Sequence, residues 1–95
     1  MYQYPDLTGI KGDMLGSGPV GELARAAEEA GWDGFAFTEH PAPGLRWLKT
    51  GGHQTLDPFV ALSYVAAVTS RLRLLTYLSV LPYRNPMLLA KAAAS

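Results

Sequence analysis

Gly34-Phe35-Ala36-Phe37-Thr38, closed by Glu39-His40-Pro41, is the stretch that decides the fold. It is a short apolar run with aromatic residues at alternate positions and a polar stop, which reads as a buried strand. Before it, Val20, Leu23, Ala24, Ala27 and Ala30 recur at helical spacing. Pro19 suits the first turn of that helix and Gly31 its C-terminal stop. Glu22, Arg25 and Glu29 fall on the opposite face, where they solvate and pair with one another. Helix, tight turn, buried strand and polar end form half of a parallel βαβ unit.

The same pattern extends downstream. Residues 42–56 are a long polar, glycine-rich connection that carries Trp47 and His53. Asp57-Pro58 starts a second helix over 59–69, with Asp as N-cap and Pro in the first turn. Residues 72–81 read as a strand apolar on both faces beyond Arg73, as buried parallel strands are. Asn85-Pro86 repeats the helix-start signal for a third helix over 87–95. Upstream, the first eighteen residues are rich in Gly, Pro and Asp, with weak strand material only at Tyr2-Gln3-Tyr4 before Pro5 and Asp6 stop it. Gly16-Ser17-Gly18 is either a phosphate nest or an ordinary turn into a helix, and the turn is favoured.

Three βα units in a row argue for an α/β fold with a parallel sheet. A (β/α)8 TIM barrel takes about 250 residues, and three of its eight units take roughly 95. The expectation is therefore a single partial domain over residues 1–95, the N-terminal three βα units of a barrel, truncated at its ends.

Composition narrows the function classes. Eight Lys plus Arg balance eight Asp plus Glu, so the formal net charge is zero and the electrostatic footprint of nucleic-acid binding is missing. With no cysteine, disulfides, thiolate zinc sites and cysteine nucleophiles are excluded together. The most apolar stretch, 59–68, is about half of what a membrane crossing requires. No long apolar run precedes Lys11, the first lysine, so a secretory leader is not expected and the expected location is cytoplasmic. The two histidines and scattered carboxylates make no metal-ligand spacing, so no metal site is expected.

Several runs together resemble the start of the luciferase-like oxidoreductases. They are Ala24-Arg25-Ala26-Ala27-Glu28-Glu29-Ala30-Gly31-Trp32-Asp33, Phe37-Thr38-Glu39-His40-Pro41-Ala42-Pro43, Gly51-Gly52-His53 and Leu56-Asp57-Pro58-Phe59-Val60-Ala61-Leu62. Arg71-Leu72-Arg73-Leu74-Leu75-Thr76 and Val80-Leu81-Pro82-Tyr83-Arg84-Asn85-Pro86 continue the match into Leu88-Leu89-Ala90-Lys91. The combination most resembles the branch that uses the deazaflavin coenzyme F420, and the resemblance covers about residues 20–95. A full apolar first strand, usual in that family, is replaced here by Tyr2-Gln3-Tyr4.

The resemblance implies an oxidoreductase passing hydride between F420 and a small organic substrate. It places His40 at the reactive face of the cofactor as the catalytic residue, a role that suits an imidazole because it titrates near neutrality. From the residues alone, His40 is equally a loop histidine beside a proline at a strand end. Glu39 then hydrogen-bonds the ring's polar edge or orients His40, or is simply a solvated carboxylate. The family carries a non-proline cis peptide and bulge in its third strand, against which the ring rests. Matching 76–82 onto that pattern puts the bond at Tyr77-Leu78 and makes Thr76, Tyr77 and Leu78 cofactor contacts; otherwise they are core strand. Trp47 walls the substrate pocket or packs on a loop. His53 reaches a phosphate or nothing, and nothing is favoured.

Residues 58–70 hold no charge, and Phe59, Leu62, Val65, Ala66 and Val68 cover most of the helix circumference. Such a helix is buried on more than one side. The third helix, with Met87, Leu88 and Leu89, has the same character. Dimers of the resembled family pack these two helices, so a homo-oligomer is expected through them, and charges placed at Val65 and Leu88 should disrupt it if both point outward. Two alternatives stand beside the F420 enzyme: a monooxygenase using reduced FMN, and a non-catalytic barrel fragment that only associates. The 95 residues alone are expected to be inactive, because later barrel units normally supply the phosphate site and most of the substrate pocket.

Overall fold

The computed structural model describes residues 1–5 and 14–95. The elements are β1 (Tyr2–Gln3), α1 (Ser17–Glu29), β2 (Gly34–Phe37), α2 (Leu45–Lys49), α3 (Pro58–Val68), β3 (Arg73–Thr76), a 3-10 turn at Leu81–Tyr83 and α4 (Pro86–Ala94). The stretch 6–13 within the Gly- and Asp-rich opening lies outside the described residues. The three strands form one parallel sheet in the order β1-β2-β3, with Phe35 opposite Tyr2 and Leu74. The α/β expectation with a parallel sheet is what the chain builds.

Parity along β2 sorts its side chains into two faces. Phe35 and Phe37 turn toward the helices and join Tyr4, Val20, Ala24, Ala27, Ala61, Leu62, Val65 and Leu72 in one core. The weak first strand is anchored by this packing. Tyr4 N donates to Ala36 O at 2.8 Å, its ring stacks on Phe37 at 4.9 Å, and its hydroxyl donates to the Met14 carbonyl. The stop of α1 is as the sequence predicts: Gly31 sits at φ 85° while Trp32 N returns to Ala27 O and Gly31 N to Glu28 O. Those two bonds satisfy carbonyls that the last helical turn leaves open.

Several expectations are corrected. The third strand ends at Thr76 instead of 81, because its partner β2 ends at Phe37 and the last ladder bond is Tyr77 N to Phe37 O. Being the sheet edge, β3 is not buried within this chain, and Leu74 and Leu75 are exposed. The polar connection contains α2, a single turn too short to show periodicity. On α3, Val65 is fully buried against the sheet, so it does not face outward; Val60 and Tyr64 do. Leu88 is 71% exposed and α4 buries no residue, so of the two positions Leu88 alone meets the condition for that charge test. The chain exposes 6416 Å², where a compact monomer of its mass exposes about 5300 Å².

Two carboxylates tie elements distant in sequence. Glu28, at the end of α1, accepts from the amides of Ser70, Arg71 and Leu72 where the chain enters β3, and the Arg71 guanidinium donates back to Glu28 O. The Arg71 amide holds the Glu28 carboxyl below the usual range, against desolvation and with the Ser70 and Leu72 amides and the Arg71 charge adding to it. Asp57 caps α3 through Phe59 N at 2.9 Å and Val60 N at 3.1 Å. Burial alone would raise the Asp57 carboxyl, but the Val60 amide, Arg84 and the Phe59 amide outweigh it, and the net shift is down. A carboxyl depressed by folding stabilises fully above its unfolded value, about 4, and that contribution is lost as pH falls through the lower folded value. The urea midpoint is therefore expected to hold from pH 7 to about 5 and to fall below about pH 4, with a shallower fall in Glu28→Gln. A midpoint that rises on acidification below pH 4 would contradict this assignment.

Candidate functional site

The C-terminal ends of β2 and β3 open on the same side, where ligand sites of parallel sheets lie. An open cleft of about 240 Å³ lies there, lined by Glu39, His40, Trp47, Val80, Tyr83 and the 41–44 turn. β2 delivers Glu39 and His40, α2 delivers Trp47, and the segment after β3 delivers Val80 and Tyr83. Thus Glu39 and His40, adjacent after β2, meet Trp47 from α2. Thr76 ends β3 opposite Phe37, and Tyr77 and Leu78 follow it, exposed beyond the sheet. The peptide bond between Tyr77 and Leu78 is cis, at the position the resemblance gives it. These three residues lie outside the cleft lining.

His40 is half-buried and held at backbone and ring. Its N–H donates to Thr55 Oγ1 at 2.9 Å, and its imidazole lies 5.0 Å from the Trp47 ring and 4.8 Å from the His53 ring. His53, which the sequence left without a role, is therefore part of the same cluster. An imidazole so placed can give or take a proton at the cleft, or stabilise charge developing there.

Glu39 has a different place from the one expected. It is 5% exposed, and its carboxylate accepts from Arg84, from Val80 N and from Ser79 Oγ. The carboxylate is thus committed to the segment 79–84, and its acceptor capacity is largely used within the chain. Arg84 Nη2 also donates to Asp57 Oδ2 at 2.8 Å, and its guanidinium lies 4.8 Å from the centre of the Phe59 ring. The hydrogen bond to Glu39 raises the Arg84 guanidinium further, desolvation opposing and Asp57 adding. Sequence reasoning missed Arg84. The available signal is that it is the one charge between Arg73 and Lys91 in an otherwise apolar stretch.

Among the described residues, no group of three or more His, Asp or Glu is placed to hold a metal, and no helix is long and apolar enough to cross a membrane. The profile of the luciferase-like monooxygenases matches residues 9–95. No curated protein and no solved structure matches significantly. The profile match spans far more than half of the sequence, from before α1 through α4, and by it the chain belongs to the luciferase-like monooxygenase family.

Proposed function

We propose that the chain is the first three βα units of a (β/α)8 oxidoreductase that passes hydride between coenzyme F420 and a small organic substrate. The observation that carries this reading is the His40 imidazole at the cleft between the strand ends, with Trp47 beside it. The open edge of β3 and the exposed Leu74 and Leu75 support further units packing there to complete the cleft.

The residues fit the flat part of the cofactor. Trp47, Val80 and Tyr83 offer an aromatic and apolar wall with His40 as its polar group, as small-molecule sites commonly do. They do not fit the phosphate tail, because Arg84, the cation beside the cleft, is held by Glu39 and Asp57. The deazaflavin, when bound, supplies the hydride chemistry. His40 holds or moves a proton at an imidazole nitrogen, Trp47 walls the substrate, and Glu39 fixes the 79–84 wall through Arg84.

The family's description, a monooxygenase, supports a second reading, in which the cofactor is reduced FMN. A fluorescence titration separates the two: this chain is expected to bind F420 weakly, since the cleft of about 240 Å³ falls below the usual range of about 300–1,000 Å³, and FMN more weakly still. In the whole enzyme, His40→Ala is expected to lower turnover about 100-fold or more while cofactor affinity changes little. Unchanged turnover would remove His40 from the mechanism, and tight binding of FMN alone would favour the monooxygenase. As part of the same reading, the exposed apolar residues of α3 and α4 support self-association of two copies.

A further inference from the structure

The loop Gly51-Gly52-His53 is built against Trp47. Thr50 N and Gly52 N both donate to Trp47 O, at 3.1 and 2.9 Å, so the chain turns back over α2. Gly51 makes the turn at φ 105°. A Cβ on Gly52 would stand 2.3 Å from Trp47 Cδ2 and 2.7 Å from Trp47 O, distances that no side chain tolerates. Glycine at 52 therefore permits the close approach. Its result is that the His53 ring lies 5.3 Å from the Trp47 ring and 4.8 Å from the His40 ring, edge-on to the latter at 70°. Two residues later, Thr55 Oγ1 takes the His40 N–H. One loop thus grips His40 twice, at its ring and at its backbone.

The core does not explain this arrangement. α2 buries no residue, and Trp47, His53 and His40 all stand outside the apolar cluster beneath α1 and α3. Trp47 and His40 line the cleft at the end of β2, and the His53 ring packs against both of them without lining it. Ring pairs at these separations prefer tilted and edge-to-face geometry, the geometry seen for all three. An imidazole wedged between two rings keeps one rotamer, whereas one open to solvent on that side samples several.

We propose that His53 is a positioning residue, holding the His40 imidazole in one orientation at the cleft together with Trp47. The catalytic meaning of that orientation rests on the function proposed above; the positioning itself does not. Proton couplings and ring-to-ring Overhauser contacts of His40, measured by NMR on the 95-residue chain, test it directly. His53→Ala is expected to bring the His40 couplings toward rotamer-averaged values and to weaken its contacts to Trp47 at least threefold. His53→Phe, which keeps a ring in place, is expected to restore both. Gly52→Ala should reproduce the averaging with His53 still present, because it must displace Trp47. Thermal unfolding curves that stay within a few degrees of the parent separate this from general loosening.

Unchanged His40 couplings in His53→Ala, or no recovery in His53→Phe with the fold intact, would overturn the proposal. In the whole enzyme, His53→Ala should lower kcat about 10-fold or more, as misplacement of a reacting group does, with KM for F420 changed less. If His40→Ala leaves turnover unchanged while the NMR results hold, the functional reading fails and the positioning stands.

Discussion

Arg84→Met is expected to destabilise the chain by about 3 kcal/mol, the low end of the range for removing one partner of a buried ion pair, because Glu39 is buried but Arg84 is 20% exposed. The size follows from what is left behind. Glu39 is 5% exposed and, among the described residues, is left with the Val80 amide and the Ser79 hydroxyl as its donors. The Asp57 ion pair and the contact with the Phe59 ring are lost in the same step. Methionine fills much of the space but supplies no donor. Arg84→Lys should recover part of the loss, since an ammonium keeps the charge without the planar fork that reaches two carboxylates. Combining Glu39→Leu with Arg84→Met should recover more, because the uncompensated charge is then gone. Chemical denaturation of the parent, Glu39→Leu, Arg84→Met and the double variant completes the cycle. A loss under about 1 kcal/mol in Arg84→Met would mean that Glu39 finds water, and that the 79–84 segment is not fixed through this pair.

That pair also marks the limit of what the sequence discloses. The βα order was legible because it is local: apolar spacing in α1, the Gly31 stop, and Asp57 and Asn85 as caps each lie within a few residues of what they control. The end of β3 was not legible, because apolar composition runs past Thr76 while pairing stops where β2 stops. Ladder length belongs to two strands, and reading one of them cannot supply it. The site divides in the same way. His40 could be placed at a strand end from its own neighbourhood, whereas the partners of Glu39 lie 40 to 45 positions away. His53 was set aside as a loop residue because the return of its loop over Trp47 depends on two glycines acting together. In each case the missing information concerned which distant groups meet.

Phe35→Ala is expected to cost about 4 kcal/mol, near the middle of the range for truncating a buried aromatic residue. Phe35 is fully buried at the centre of the sheet, with ring centres of Tyr2 at 5.4 Å, Phe37 at 5.5 Å and Tyr4 at 6.1 Å. Those neighbours come from both β1 and β2, and β1 has only two ladder residues to hold it, so its ordering depends on this aromatic packing. A chain of this length has roughly 5–14 kcal/mol of stability in total, so the variant should lose more than a quarter of it. Leu88→Glu is the contrasting case. Leu88 is 71% exposed on a helix that buries nothing within the chain. Its replacement should change monomer stability by no more than about 0.5 kcal/mol. If α3 and α4 bury each other's apolar surface between two copies, the same substitution should shift sedimentation toward the monomer. Calorimetry and sedimentation on both variants therefore separate the core under β2 from the apolar face on α4. A stable Phe35→Ala protein, or a Leu88→Glu protein that unfolds as a monomer, would reverse the assignment of inside and outside argued for this chain.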